Sequence, residues 1–138
     1  MEYKIREMLG SDMEDIINLL KVCELYYPED DTPSKLKNKL QIDRDLMLVA
    51  VSEDKIIGFI MANYDRWVAS IWHLGVLPEF RSNGIARSLM LEIQRRLKVR
   101  GADLVYGFVR LKNNNMRQIV SKWGFTEGAE VAVICKRL

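Results

Sequence analysis

Met13, Ile16, Ile17 and Leu20 return every three to four positions, whereas Leu46 to Val51 and Ile56 to Tyr64 are nearly unbroken apolar runs rich in β-branched residues. The first spacing is one face of a helix, and the two runs read as strands buried within a sheet. Between them the polar Ser52-Glu53-Asp54-Lys55 predicts a hairpin turn. Upstream, Tyr3 to Met8 alternates weakly as a first strand, and Ser11 with Glu14 reads as a capping box for the first helix. Thr32 and Pro33 form an N-cap and N1 pair for a second helix carrying Leu36 and Leu40. Trp67 to Val76 continues the strand pattern into an antiparallel meander. Ile85, Leu89, Ile93 and Leu97 then recur at i+4 along a helix from Gly84 to Arg100 that stops at Gly101. Its last turns carry Arg95, Arg96, Lys98 and Arg100, which complement the negative end of the helix dipole. A strand over Leu104–Val109, a helix from Asn115 to Trp123 closed by Gly124, and a last strand over Val131–Cys135 complete the pattern.

The order β, α, α, β, β, β, α, β, α, β is not that of a doubly wound parallel sheet. It predicts an α+β fold of three layers (α/β/α), with a mixed, mostly antiparallel sheet flanked by four helices. No repeat, low-complexity tract or Pro/Gly/Ser linker interrupts the chain, which reads as a single domain over residues 1–138. With 138 residues, 49% of them hydrophobic, it can build a core without metal or disulfide staples. A formal charge of +2 supplies no overall field for nucleic acid. Neither a signal peptide nor an apolar run of membrane-spanning length is evident, so a cytoplasmic protein with no membrane or nucleic-acid partner is expected. Cys23 and Cys135 have no metal-ligand spacing with the lone His73, so no metal is expected and both read as buried free thiols.

The chemistry concentrates where the strand ending at Val76 and Pro78 passes through Arg81-Ser82-Asn83-Gly84-Ile85-Ala86 into a long helix. Backbone N–H groups at such a junction face one spot and suit a phosphate. The turn lacks both the P-loop signature and the three glycines of a dinucleotide fingerprint. What it has is Arg-x-x-Gly-x-Ala after a strand closing in Val-x-Pro. The segment Leu74 to Ala86 resembles motif A of the GNAT acetyltransferase superfamily, and the element order, the Asn-rich turn and Gly124-Phe125 extend that resemblance over nearly the whole chain. Within the superfamily the chain is most similar to small bacterial-type members near the RimI-like enzymes.

The resemblance implies an acetyl-CoA-dependent N-acetyltransferase acting on the amine of a small molecule or peptide, with homodimerisation plausible. It implies a sheet splayed at the cofactor strand, so that Leu74, Gly75 and Val76 pair with the pantetheine arm. Gly75 is expected to mark a bulge or a close approach of ligand. The backbone of Ser82, Asn83, Gly84, Ile85, Ala86 and Arg87 is expected to hold the pyrophosphate, with Arg81 and Arg87 as cations and Asn113 touching the cofactor arm. Two positions break the family pattern: Val120 stands where many members have a thiol-protonating tyrosine, and Phe108 where RimI-like members have a glutamate base. The alternative they motivate is a non-catalytic coenzyme A or acyl-CoA binding regulatory module.

Three side chains have the chemistry to replace the missing groups. An ordinary imidazole has its pKa near neutrality, so His73 could accept a proton from an amine, although alternation turns it away from Leu74 and a histidine satisfied within the core is the competing reading. Tyr64, beside Asp65, and Tyr106 are candidate proton donors, with packing aromatics as the bland reading. By the same resemblance, Glu29-Asp30-Asp31 lies in the region bordering the acceptor site and could attract a cationic amine, although a solvated acidic loop needs no such role.

Overall fold

The computed structural model describes residues 1–128 and 130–138. It divides into two compact units, Met1–Phe108 and Val109–Leu138. The first holds a five-stranded sheet of β1 (Lys4–Glu7), β2 (Met47–Ser52), β3 (Lys55–Tyr64), β4 (Ala69–Val76) and β5 (Val105–Gly107) in the order β1-β2-β3-β4-β5. The first three pairings are antiparallel, as short turns dictate. β4 and β5 are parallel, because a whole helix, α3 (Ile85–Val99), joins them. The β2–β3 turn contains no glycine, and Glu53 and Asp54 both take left-handed φ angles of 49° and 62°.

α1 (Met13–Val22) and α2 (Pro33–Ile42) cover one face of the sheet, where Ile16, Leu19, Leu20, Leu36 and Leu40 pack with Met47, Val49, Phe59 and Met61. α3 covers the other face. Gly58 permits its close approach, since a Cβ there would lie 3.1 Å from Leu89 and 3.2 Å from Ile85. The basic end of α3 does more than complement its dipole. Arg96 pairs with Glu7 at 2.6 Å and Glu92 at 2.9 Å, and Arg100 pairs with Asp43 at 3.0 Å and with Asp45. These pairs moor α3 to β1 and to the segment after α2.

Two expectations for the termini fail. The Ser11–Glu14 box does not form, because a 3-10 turn over Gly10–Asp12 precedes α1. Asp12 takes over, accepting from the Leu9 N–H at 2.8 Å while paired with Arg6 at 2.7 Å. In the second unit, α4 (Asn114–Lys122) forms as expected, but Val131–Cys135 makes no strand. Alternation supplies strand propensity, whereas a strand also needs a partner's hydrogen-bonding edge, and Val133 and Ile134 are exposed. Cys135 is exposed in the same tail rather than buried, and Cys23 is half-buried.

Candidate active site

The junction between β4 and α3 is built from backbone. After a 3-10 turn at Pro78–Phe80, Ser82 takes φ 64° and Gly84 takes φ 76°, and α3 starts at Ile85. The Asn83 side-chain amide donates to the carbonyls of Phe80 and Arg81 at 3.1 and 3.2 Å, which holds the turn in shape. No side chain caps the helix, and its first internal bond is Ser88 N–H to the Gly84 carbonyl at 3.0 Å. The N–H groups of Ile85, Ala86 and Arg87 therefore precede any intrahelical acceptor. A Cβ on Gly84 would meet nothing within 4 Å, so the space above these donors is open. An anion is the species that satisfies them, with the positive end of a fifteen-residue helix behind.

Arg81, exposed beside the turn, reaches back to β4. Its Nε donates to the Val76 carbonyl at 2.9 Å and its Nη2 lies 3.9 Å from Cys23 Sγ, so the guanidinium clasps the end of β4. The Cys23 thiol shares the Val76 carbonyl at 3.4 Å, and burial pushes its pKa up against the opposing pull of Arg81. In this arrangement Arg81 and Cys23 both engage the Val76 carbonyl. Arg87 is exposed on the first turn of α3.

The sheet opens beside this cradle. β5 pairs with β4 only at Ala69–Val105, Ser70–Tyr106 and Ile71–Gly107, after which the two strands part. Trp72 to Gly75 thus present a strand edge with no β partner among the described residues. The irregularity assigned to Gly75 lies instead at Trp72, which is the extra residue between the Met61–His73 and Ala62–Ile71 pairs. Gly75 is needed for packing, because a Cβ there would lie 3.0 Å from Leu25, 3.2 Å from Cys23 and 3.3 Å from Leu19.

The register places His73 opposite Met61 and Gly75 opposite Phe59, on the face covered by α1 and α2. There His73 is 3% exposed, and its Nε2 lies 2.8 Å from Oδ1 of Asp31, itself 2% exposed. The second carboxylate oxygen of Asp31 accepts from the Tyr27 N–H at 2.8 Å, and the Tyr27 ring stacks on the imidazole at 6.2 Å between centroids. His73 Nδ1 is buried with no hydrogen-bond partner among the described residues. The Glu29–Asp31 segment is thus not uniformly a solvated acidic loop. Its last member is a buried partner 42 positions away from His73 in sequence, a relation that no local pattern reveals.

The remaining candidates lie apart. Tyr64 pairs with Ala69 at the far end of the β3–β4 hairpin from Val76, and its hydroxyl sits by Gly101, so it does not join His73 or the cradle. Tyr106 pairs with Ser70, before the strands part, and is exposed. Phe108 packs tilted against Trp72 with ring centroids 5.0 Å apart, and Trp72 Nε1 donates to Ser70 Oγ at 3.1 Å. In the second unit, Asn113 is the N-cap of α4, its side-chain oxygen accepting from the Met116 N–H at 3.1 Å. Val120 sits within α4, and its carbonyl accepts from the Phe125 N–H at 3.0 Å.

The comparisons with known proteins agree with this architecture. The sequence model of the Acetyltransferase (GNAT) family matches residues 13–125. Acetyltransferase SG1711 of Sodalis glossinidius is 32% identical, and acetyltransferase ECA0875 of Pectobacterium atrosepticum 33% identical, each over 98% of this chain and 95% of the relative. Among solved structures, PaiA N-acetyltransferase from Thermoplasma acidophilum, in complex with coenzyme A, superposes with a TM-score of 0.81 at 24% identity, covering 91% of each chain. A parted β4–β5 pair beside a glycine-opened helix N-terminus, in a chain matched over most of its length, identifies this protein as an acetyltransferase of the GNAT family.

Proposed function

We propose that this acetyltransferase moves the acetyl group of acetyl-CoA onto a primary amine, carried by a small molecule or a peptide. The observation that carries the reading is the loss of β4–β5 pairing after Ile71, next to three unpaired helix N–H groups. A pyrophosphate fits those donors, because Gly84 leaves the space above them empty and its φ of 76° turns the chain into the helix without a side chain in the way. An amide-bearing pantetheine arm fits the free edge of Trp72 to Gly75 as an added strand would. The coenzyme A complex of the Thermoplasma PaiA protein, which shares the fold, supports the same ligand.

When bound, acetyl-CoA supplies an acyl group already activated as a thioester. The chain supplies position: the cradle fixes the phosphates, the strand edge fixes the arm, and backbone N–H groups on that edge are the available donors for charge developing on the carbonyl oxygen. His73, on the face of the same strand covered by α1 and α2, is the group to which this proposal gives the proton of the amine. Titration calorimetry with acetyl-CoA tests the cofactor half of the proposal, and its absence of heat at any practical concentration would sink it. A panel of amines and peptides incubated with acetyl-CoA and read by mass should show a gain of one acetyl group on an amino nitrogen. Transfer confined to hydroxyl or thiol acceptors would refute the amine.

A further inference from the structure

We infer that Asp31 and His73 form the proton-accepting pair of this enzyme, with His73 Nδ1 as the atom that takes the proton and Asp31 as its positioning residue. The inference rests on the proposed amine chemistry and adds to it the atom, the tautomer and the partner.

The geometry sets the tautomer. An ionised carboxylate only accepts hydrogen bonds, so in the proposed pair the 2.8 Å contact from Asp31 Oδ1 puts the imidazole hydrogen on Nε2. On a neutral ring this leaves a lone pair on Nδ1, a buried nitrogen with no hydrogen-bond partner among the described residues. A histidine kept only for packing has no use for an unanswered nitrogen in the interior, where an unmet polar atom is unfavourable. Asp31 is itself oriented: its Oδ2 accepts from the Tyr27 N–H at 2.8 Å, and the Tyr27 carbonyl accepts from the N–H groups of Asp30 and Asp31 at 3.0 and 2.8 Å. The loop between α1 and α2 is thereby folded onto the cofactor strand through this carboxylate. The half-exposed Tyr27 ring lies over the imidazole.

The proton balance closes. An acceptor arriving as an ammonium loses one N–H bond to Nδ1, and its electron pair becomes free to attack the acyl carbon. The imidazolium so formed is held by the Asp31 carboxylate and later gives its proton to solvent. The second proton leaves the nitrogen as the amide forms and goes to the departing sulfur, so the products are an amide and a free thiol.

His73 is the single histidine of the chain, so a tag-free, ¹⁵N-histidine-labelled protein has one imidazole spectrum. Nitrogen NMR of the ligand-free protein near neutral pH should show a protonated Nε2 and an unprotonated Nδ1. A protonated Nδ1 on a neutral ring would overturn the assignment without touching the acetyltransferase reading. Asp31→Asn should mix the tautomers and lower kcat by at least about tenfold, with coenzyme A affinity and acceptor KM little changed. His73→Gln should lower kcat by about a hundredfold, within the range that general-base groups contribute. Calorimetry with coenzyme A on each variant confirms that it is folded and separates the outcomes. Variants that bind coenzyme A normally and keep wild-type kcat would refute the pair, whereas a wild-type protein that fails to bind would refute the cofactor reading instead.

Discussion

The phosphate cradle and the His73–Asp31 pair differ in how far the chain must travel to make them. Arg81 to Arg87 is one contiguous turn whose donors are backbone groups, exposed, and set by φ angles at Ser82 and Gly84. The pair joins residues 42 apart, and both side chains are almost fully buried. A site made of local backbone geometry survives loose packing elsewhere, whereas a site made of buried side chains depends on the register of β3 and β4 and on the seating of the α1–α2 loop. The proposed binding and the proposed chemistry therefore rest on different parts of the fold, and each should be open to damage without the other.

The strongest separation should come from Gly84→Glu, which puts a carboxylate and a Cβ into the open space above the helix donors. Coenzyme A affinity measured by calorimetry is expected to fall by about a hundredfold or more, about 2.7 kcal/mol. Thermal stability should drop only by the strain of a left-handed side chain, about 1 kcal/mol. An unchanged affinity would reduce the cradle to an ordinary turn. Gly75→Val attacks the other region: its branched side chain must displace Leu25, Cys23 and Leu19, and urea unfolding should report a loss of about 1–3 kcal/mol. Retained stability there would show that α1 is not closely seated on β4.

A smaller test acts at the edge of the buried pair. Thr32 follows Asp31 and its hydroxyl oxygen accepts from the Lys35 N–H at 3.2 Å, capping α2. Thr32→Ala should cost about 1 kcal/mol in chemical denaturation and lower kcat more than coenzyme A affinity, since it loosens the Asp31 segment but not the cradle. Equal effects on both would erase the distinction between the regions. The smallest effect concerns the helix that carries the cradle. Hydrogen bonds from Arg95 and then Arg96 hold the Glu92 carboxyl at a pKa of about 2, below its ordinary 4.5. Because the folded value is the lower one, this stabilisation is complete above pH 4.5 and is lost as the pH falls toward 2. Glu92→Gln should therefore flatten the dependence of melting temperature on pH in that window. A mutant curve parallel to the wild type would exclude Glu92 as a contributor to acid sensitivity.

Much of the frame was legible because it is written in short-range pattern. The period of α1 and α3, the apolar runs of β2 and β3, the Thr32-Pro33 start of α2 and the glycine-opened turn at 81–87 each depend on neighbours a few positions apart. The family resemblance rested on the same contiguous stretch. Where the sequence misled, the missing information was which partner the folded backbone supplies: Asp12 rather than Ser11 taking the capping role beside Arg6, and Val131–Cys135 having strand propensity without an edge to pair with.

By itself, then, the sequence determined most of the elements, their order and the place of the glycine-opened turn, because backbone dihedrals and side-chain periodicity are local properties. The tertiary structure alone decided where β4 and β5 part, after Ile71, that the bulge lies at Trp72 rather than Gly75, and that Asp31 meets His73 in the core. Strand register is a relation between segments, and a buried carboxylate chooses its partner only after the sheet and the loop above it have been brought together and water has been excluded.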